Sequence, residues 1–70
     1  MITIEHLLKD MRVKLSMTQE QLAERIGLSK QVISAYELKK RKPSLLNSHK
    51  IVSAANEICG TQLTYKDILE

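Results

Sequence analysis

Two short stretches carry most of the chemistry in this chain: KQVISA at residues 30–35 and KKRK at residues 39–42. Gln31 presents a donor beside an acceptor, the arrangement that matches N6 and N7 of adenine, and Lys30 can donate to O6 and N7 of guanine. Val32 and Ala35 offer small apolar surfaces of the kind that meets a thymine methyl group, and Ser34 adds a hydroxyl close by. Gln19 and Ser29 stand where helices begin, and there side-chain groups, amides and the helix dipole receive phosphate. Lys39, Lys40, Arg41 and Lys42 suit a phosphate backbone, which would give affinity and salt dependence without sequence information. The partner these residues predict is double-stranded DNA.

The distribution of charge points the same way. The whole chain has 70 residues and a formal net charge of +3. Between residues 25 and 50, however, Arg25, Lys30, Lys39, Lys40, Arg41, Lys42 and Lys50 face Glu37 alone, and both flanking thirds are weakly acidic. A field concentrated in the middle of the chain suits a polyanion better than the net charge alone suggests.

Other function classes find little support. Cys59 is the one cysteine, so no intrachain disulfide forms, and no Cys/His cluster offers a metal site. Cys59 reads as a small buried hydrophobe. His6 and His49 have no Ser, Cys or carboxylate at a telling spacing and read as surface or partly packed residues. Neither a nucleophile paired with a base nor a phosphate-cradling glycine loop is present, so the expectation is a binding protein with no cofactor and not an enzyme. No apolar run approaches the roughly 18 residues that a membrane span needs, and Glu5, His6, Lys9 and Asp10 break up any leader-like segment. The expected location is the cytoplasm, at the nucleoid, and a chain of this length leaves no room for a built-in effector domain.

Helical elements must position these side chains. Ile4, Leu7, Leu8, Met11 and Leu15 repeat at the spacings of one helical face and predict a helix over about 4–15. Thr18 with Gln21 three residues later forms a capping-box signal, Leu22, Ala23 and Ile26 supply a buried stripe, and Gly27 stops this second helix near residue 26. Ser29 caps a third helix over 29–38, with Ile33 and Tyr36 facing the core, and the charged run closed by Pro43 ends it. Ser44 caps a fourth over 44–58, where Leu45, Val52, Ala55 and Ile58 keep helical spacing up to Gly60. Thr64 and Asp67 predict a short fifth helix over 64–69. Five short helices and no strand make the chain all-α, a compact bundle forming one domain over residues 1–70.

Residues 19–38, QEQLAERIGLSKQVISAYEL, are the informative unit. Two short helices joined by a tight glycine turn cross steeply only where the crossing residues are small or aliphatic. Ala23, Gly27, Leu22, Ile26, Leu28, Ile33 and Tyr36 meet that need, as in a helix-turn-helix whose second helix enters the DNA major groove.

On these residues the chain resembles the phage-repressor type of helix-turn-helix proteins, the Cro and lambda-repressor-like family, from about Leu7 to Ile58. The matching positions are Gln19, the small Ala23, the turn glycine Gly27, the aliphatic Ile33, the aromatic–acid pair Tyr36 and Glu37, and the basic loop from Lys39 through Pro43 to Leu45. The resemblance implies a lambda-repressor-like fold and a transcriptional regulator that binds operator DNA as a two-fold dimer. A phage or mobile-element repressor reading a palindromic operator is the expected function, and Leu63, Ile68 and Leu69 are either a dimer surface or the closing residues of the core. The alternative is a protein-interaction module, an antitoxin or antirepressor, that uses an exposed Val32 and the apolar C-terminal segment to hold a partner protein.

Overall fold

In the computed structural model, which describes residues 3–68, all regular structure is helical and no strand occurs among the described residues. The elements are α1 (Ile4–Leu15), α2 (Gln19–Ile26), α3 (Lys30–Glu37), α4 (Leu45–Cys59) and a single 3-10 turn (Tyr65–Asp67). α1 packs against both α3 and α4, α2 lies across α3, and the 3-10 turn returns to α4.

Each helix starts on a hydroxyl. Thr3, Thr18, Ser29 and Ser44 accept from the N–H of His6, Gln21, Val32 and Asn47 respectively, which satisfies donors that the first turn leaves without a partner. At Thr18 the box is reciprocal, because its own N–H donates to Oε1 of Gln21 at 2.9 Å. Gly27 ends α2 at φ +88°, where its N–H and that of Leu28 both donate to the carbonyl of Ala23. A Cβ at Gly27 would meet nothing within 4 Å, so its requirement for glycine comes from the backbone alone.

α3 ends by a different device. Lys40 N–H donates to the carbonyl of Ala35 and Lys39 N–H to that of Tyr36, the paired bonds of a Schellman motif. The left-handed position in that motif is Lys39, at φ +60°. The helix is therefore closed by this turn three residues before the charged run reaches Pro43.

The core is aliphatic around one aromatic ring. Leu7, Leu8 and Met11 from α1, Leu22 and Ala23 from α2, Ile33 and Tyr36 from α3, and Ile51, Val52 and Ala55 from α4 are buried together with Ile68. Tyr36 keeps its hydroxyl satisfied by accepting from Nδ2 of Asn47 at 2.9 Å, which ties α3 to the first turn of α4. Ser48, wholly buried, donates its hydroxyl to the carbonyl of Ser44 at 2.8 Å.

Four expectations change. Leu45 is 55% exposed and does not extend the buried stripe of α4, because the first turn of that helix projects past the core and turns Asn47 toward Tyr36. Val32 is half-buried against the core and is not an exposed contact, since it lies one turn before Tyr36 on the same helical face. Cys59 is half-buried at the edge of the core. The fifth helix is only the 3-10 turn: Asn56 holds the preceding segment extended, accepting from Leu63 N–H and the Thr61 hydroxyl at 2.8 Å each and donating to the Leu63 carbonyl at 2.9 Å. Three residues then remain to bring Ile68 to the core, too few for an α-helical nucleus. Ile68 is buried and Leu63 packs against the core, so neither is a free apolar surface; Leu69 lies outside the described residues.

Candidate nucleic-acid interface

The exposed side of α3 begins at its capped N-terminus. Ser29 accepts from Val32 N–H at 3.2 Å, a bond that does not use the hydroxyl's own hydrogen. Lys30 and Gln31 follow, both exposed, and Ser34 and Ala35 stand half-buried one turn later. These four residues line a shallow groove that continues to Leu38 and Lys40. The groove is a strip of donors, one amide and small apolar surface, a composition suited to base edges. Glu37, the one acid on this helix, is turned inward and 4% exposed, so no carboxylate interrupts the strip.

Glu37 is held there by Arg12 of α1. The guanidinium donates Nε–H to Oε2 at 2.9 Å and Nη2–H to Oε1 at 2.8 Å, a two-pronged pair that fixes the rotation of α3 against α1. The side chains are 26% and 3% exposed respectively. Arg12 reached this role without any local signal, since 25 residues separate it from its partner.

The basic run does not act as one line. Lys40 joins the α3 groove, whereas Lys39, Arg41 and Lys42 rim a hollow of about 280 Å³ on the side of α1, floored by Tyr36 and Pro43. The left-handed turn at Lys39 makes this division, and Lys39 Nζ reaches Oε1 of Glu5 at 2.9 Å. The hydrogen bond from Lys39 is the main influence that holds the Glu5 carboxyl below its ordinary value, against a smaller opposing effect of burial. Arg41 and Lys42 are exposed beside the start of α4.

Of the residues expected to read bases, Lys30, Gln31, Ser34 and Ala35 thus share one groove, and Val32 does not belong to it. Of those expected at phosphates, Lys40 adjoins that groove, Ser29 caps its helix, Gln19 opens α2 half-buried, and Lys39, Arg41 and Lys42 face another direction. Leu38 is the groove residue that the expectation omitted. It follows Ala35 by three and Gln31 by seven, so carrying the helical spacing one turn further would have included it.

Among the described residues there is no cluster of three or more His, Cys, Asp or Glu side chains that could hold a metal ion, and no helix is long and apolar enough to cross a membrane.

Known proteins are similar to this chain in sequence. A protein of Methanothermobacter thermautotrophicus described as an uncharacterized HTH-type transcriptional regulator is 44% identical over 48 residues, 69% of this chain and 70% of the relative. One of Archaeoglobus fulgidus with the same description is 41% identical over 49 residues, 70% of this chain and 69% of the relative. No solved structure matches the chain. The helix-turn-helix family model matches residues 8–57, from α1 to near the end of α4 and including the whole α2–turn–α3 unit, and the chain accordingly belongs to the Cro and lambda-repressor-like helix-turn-helix family.

Proposed function

We propose that this chain is a sequence-specific DNA-binding transcriptional regulator, a repressor of the phage or mobile-element type, which reads a palindromic operator as a homodimer. The observation that carries the reading is the continuous α3 groove, in which Lys30, Gln31, Ser34, Ala35 and Lys40 stand together with no acid among them. Gln31 pairs with adenine and Lys30 with guanine, each worth about 1–3 kcal/mol of discrimination. Ser29 and Gln19 anchor phosphates at the helix starts, and Lys40 holds the backbone that borders the groove.

The fold measures 26 × 25 × 18 Å. A two-fold dimer on such an operator sets equivalent α3 helices about 34 Å apart, the turn that relates two half-sites. Repression then follows from occlusion, as a bound dimer covers the sequence that polymerase needs.

The alternative of a protein-interaction module is less favoured, because Val32 is half-buried against the core and Ile68 is part of it. Enrichment of bound duplexes from a random library tests the proposal: the expected product is a symmetric site with half-sites about one helical turn apart. A pool that stays random at moderate salt overturns DNA recognition, and an enriched site without symmetry overturns the dimer.

A further inference from the structure

Leu38, the residue that closes α3, is 61% exposed although it is a large aliphatic residue. It lies in the same groove as Gln31, Ser34 and Ala35 and is the largest apolar side chain there. Single exposed leucines are ordinary on a protein surface; Leu38 is set apart by lining the groove beside Gln31, Ser34, Ala35 and Lys40. Its mobility is limited too, because the backbone N–H of Leu38 is bonded to the carbonyl of Ser34 and the next two residues are fixed by the Schellman turn.

Resting on the DNA-binding reading above, we propose that Leu38 is a specificity-determining residue, which together with Ala35 forms an apolar step that reads the 5-methyl group of a thymine. In the major groove each base pair offers donors and acceptors, and the thymine methyl is the apolar feature among them. A step made of a small residue and a larger one three positions later on one helical face matches such a protruding methyl, with Ala35 as floor and Leu38 as wall. Lys40 beside it binds the flanking phosphate and gives the step a fixed distance from the backbone. Leu38 thereby takes the apolar contact that the sequence suggests for Val32, whose side chain packs inward.

The test uses the enriched operator with each thymine replaced singly by deoxyuridine, which removes one methyl and leaves every hydrogen-bonding group in place. For the unaltered protein, one thymine per half-site should prove sensitive, with a loss in affinity of about threefold to fivefold, the value of one buried methyl. For Leu38→Ala the same replacement should have a clearly smaller effect, since only the Ala35 floor remains, while Leu46→Ala, an equally exposed leucine outside the groove, should keep the full sensitivity. A deoxyuridine scan with no sensitive position overturns the proposal, as does sensitivity that survives undiminished in Leu38→Ala. Failure to enrich any operator is a separate outcome, which overturns the DNA-binding reading itself and Leu38's role with it.

Discussion

Arg12 of α1 and Glu37 of α3 form a two-pronged ion pair, at 2.9 and 2.8 Å, in which the carboxylate is almost wholly buried and the guanidinium keeps partial access to water. The asymmetry decides what each substitution does. Arg12→Met strands a buried charge and should cost about 3 kcal/mol, whereas Glu37→Gln leaves a cation able to turn outward and should cost about 1–2 kcal/mol. The double variant Arg12→Met/Glu37→Leu should return to within about 1 kcal/mol of the parent. Urea unfolding measures all three, and equal costs for the two single variants would contradict the asymmetry.

Glu5 gives a pH signature. Its carboxyl titrates below the ordinary 4.5 in the folded state because Lys39 donates a hydrogen bond to it. A lowered folded value means that the pair's contribution is fully present above pH 4.5 and is lost as pH falls through the lower folded value. Glu5→Gln should therefore differ from the parent in unfolding midpoint at neutral pH, and the difference should shrink on acidification. A gap that widened in acid would reverse the sign of the linkage.

Lys39 occupies a left-handed backbone position at φ +60° that favours glycine. Lys39→Gly and Lys39→Ala both remove the contact with Glu5, so comparing them isolates the backbone. The glycine variant should be more stable than the alanine variant by roughly 1 kcal/mol. Thermal unfolding of the two side by side reads this directly.

Gln31 and Lys40 share a groove but differ in chemistry. Gln31→Ala should relax preference at one base position at a cost of about 1–3 kcal/mol, and Lys40→Ala should weaken all sequences alike and reduce the salt slope by about one. Binding isotherms on matched and mismatched duplexes at several salt concentrations separate the two. A change of base preference in Lys40→Ala would refute this division.

Ile68 is 5% exposed in the core that α1, α3 and α4 share. Ile68→Ala should destabilise the fold by about 2–4 kcal/mol, the range for truncating a buried aliphatic side chain. Its oligomeric state, measured by sedimentation under conditions where the variant stays folded, should match that of the parent. A variant of full stability that dissociates would instead make Ile68 a subunit contact.

Much of this protein was decided locally. Thr18 with Gln21, Ser29, Ser44, Gly27 and Gly60 act within a few residues of themselves, so hydroxyl caps and left-handed glycines set where α2, α3 and α4 begin and where α2 and α4 end. Helical spacing likewise chose Leu8, Met11, Ile33 and Tyr36 for burial, because a face repeats every three to four residues whatever surrounds it. The placement of Lys30 and Gln31 on the open side of α3 follows from that choice. Tertiary structure decided what depends on distant partners. Glu37 turned inward because Arg12 waited on α1, Val32 turned inward with Tyr36, and Asn56 held the chain that became a 3-10 turn instead of a fifth helix. The basic run also looked continuous until Lys39 took a backbone conformation that its residue type does not announce. Local signals fix the helices and their faces, since those rest on bonds between near neighbours. Which polar side chains point outward together is set only when the helices pack, because burial and ion pairing depend on groups that the sequence places far apart.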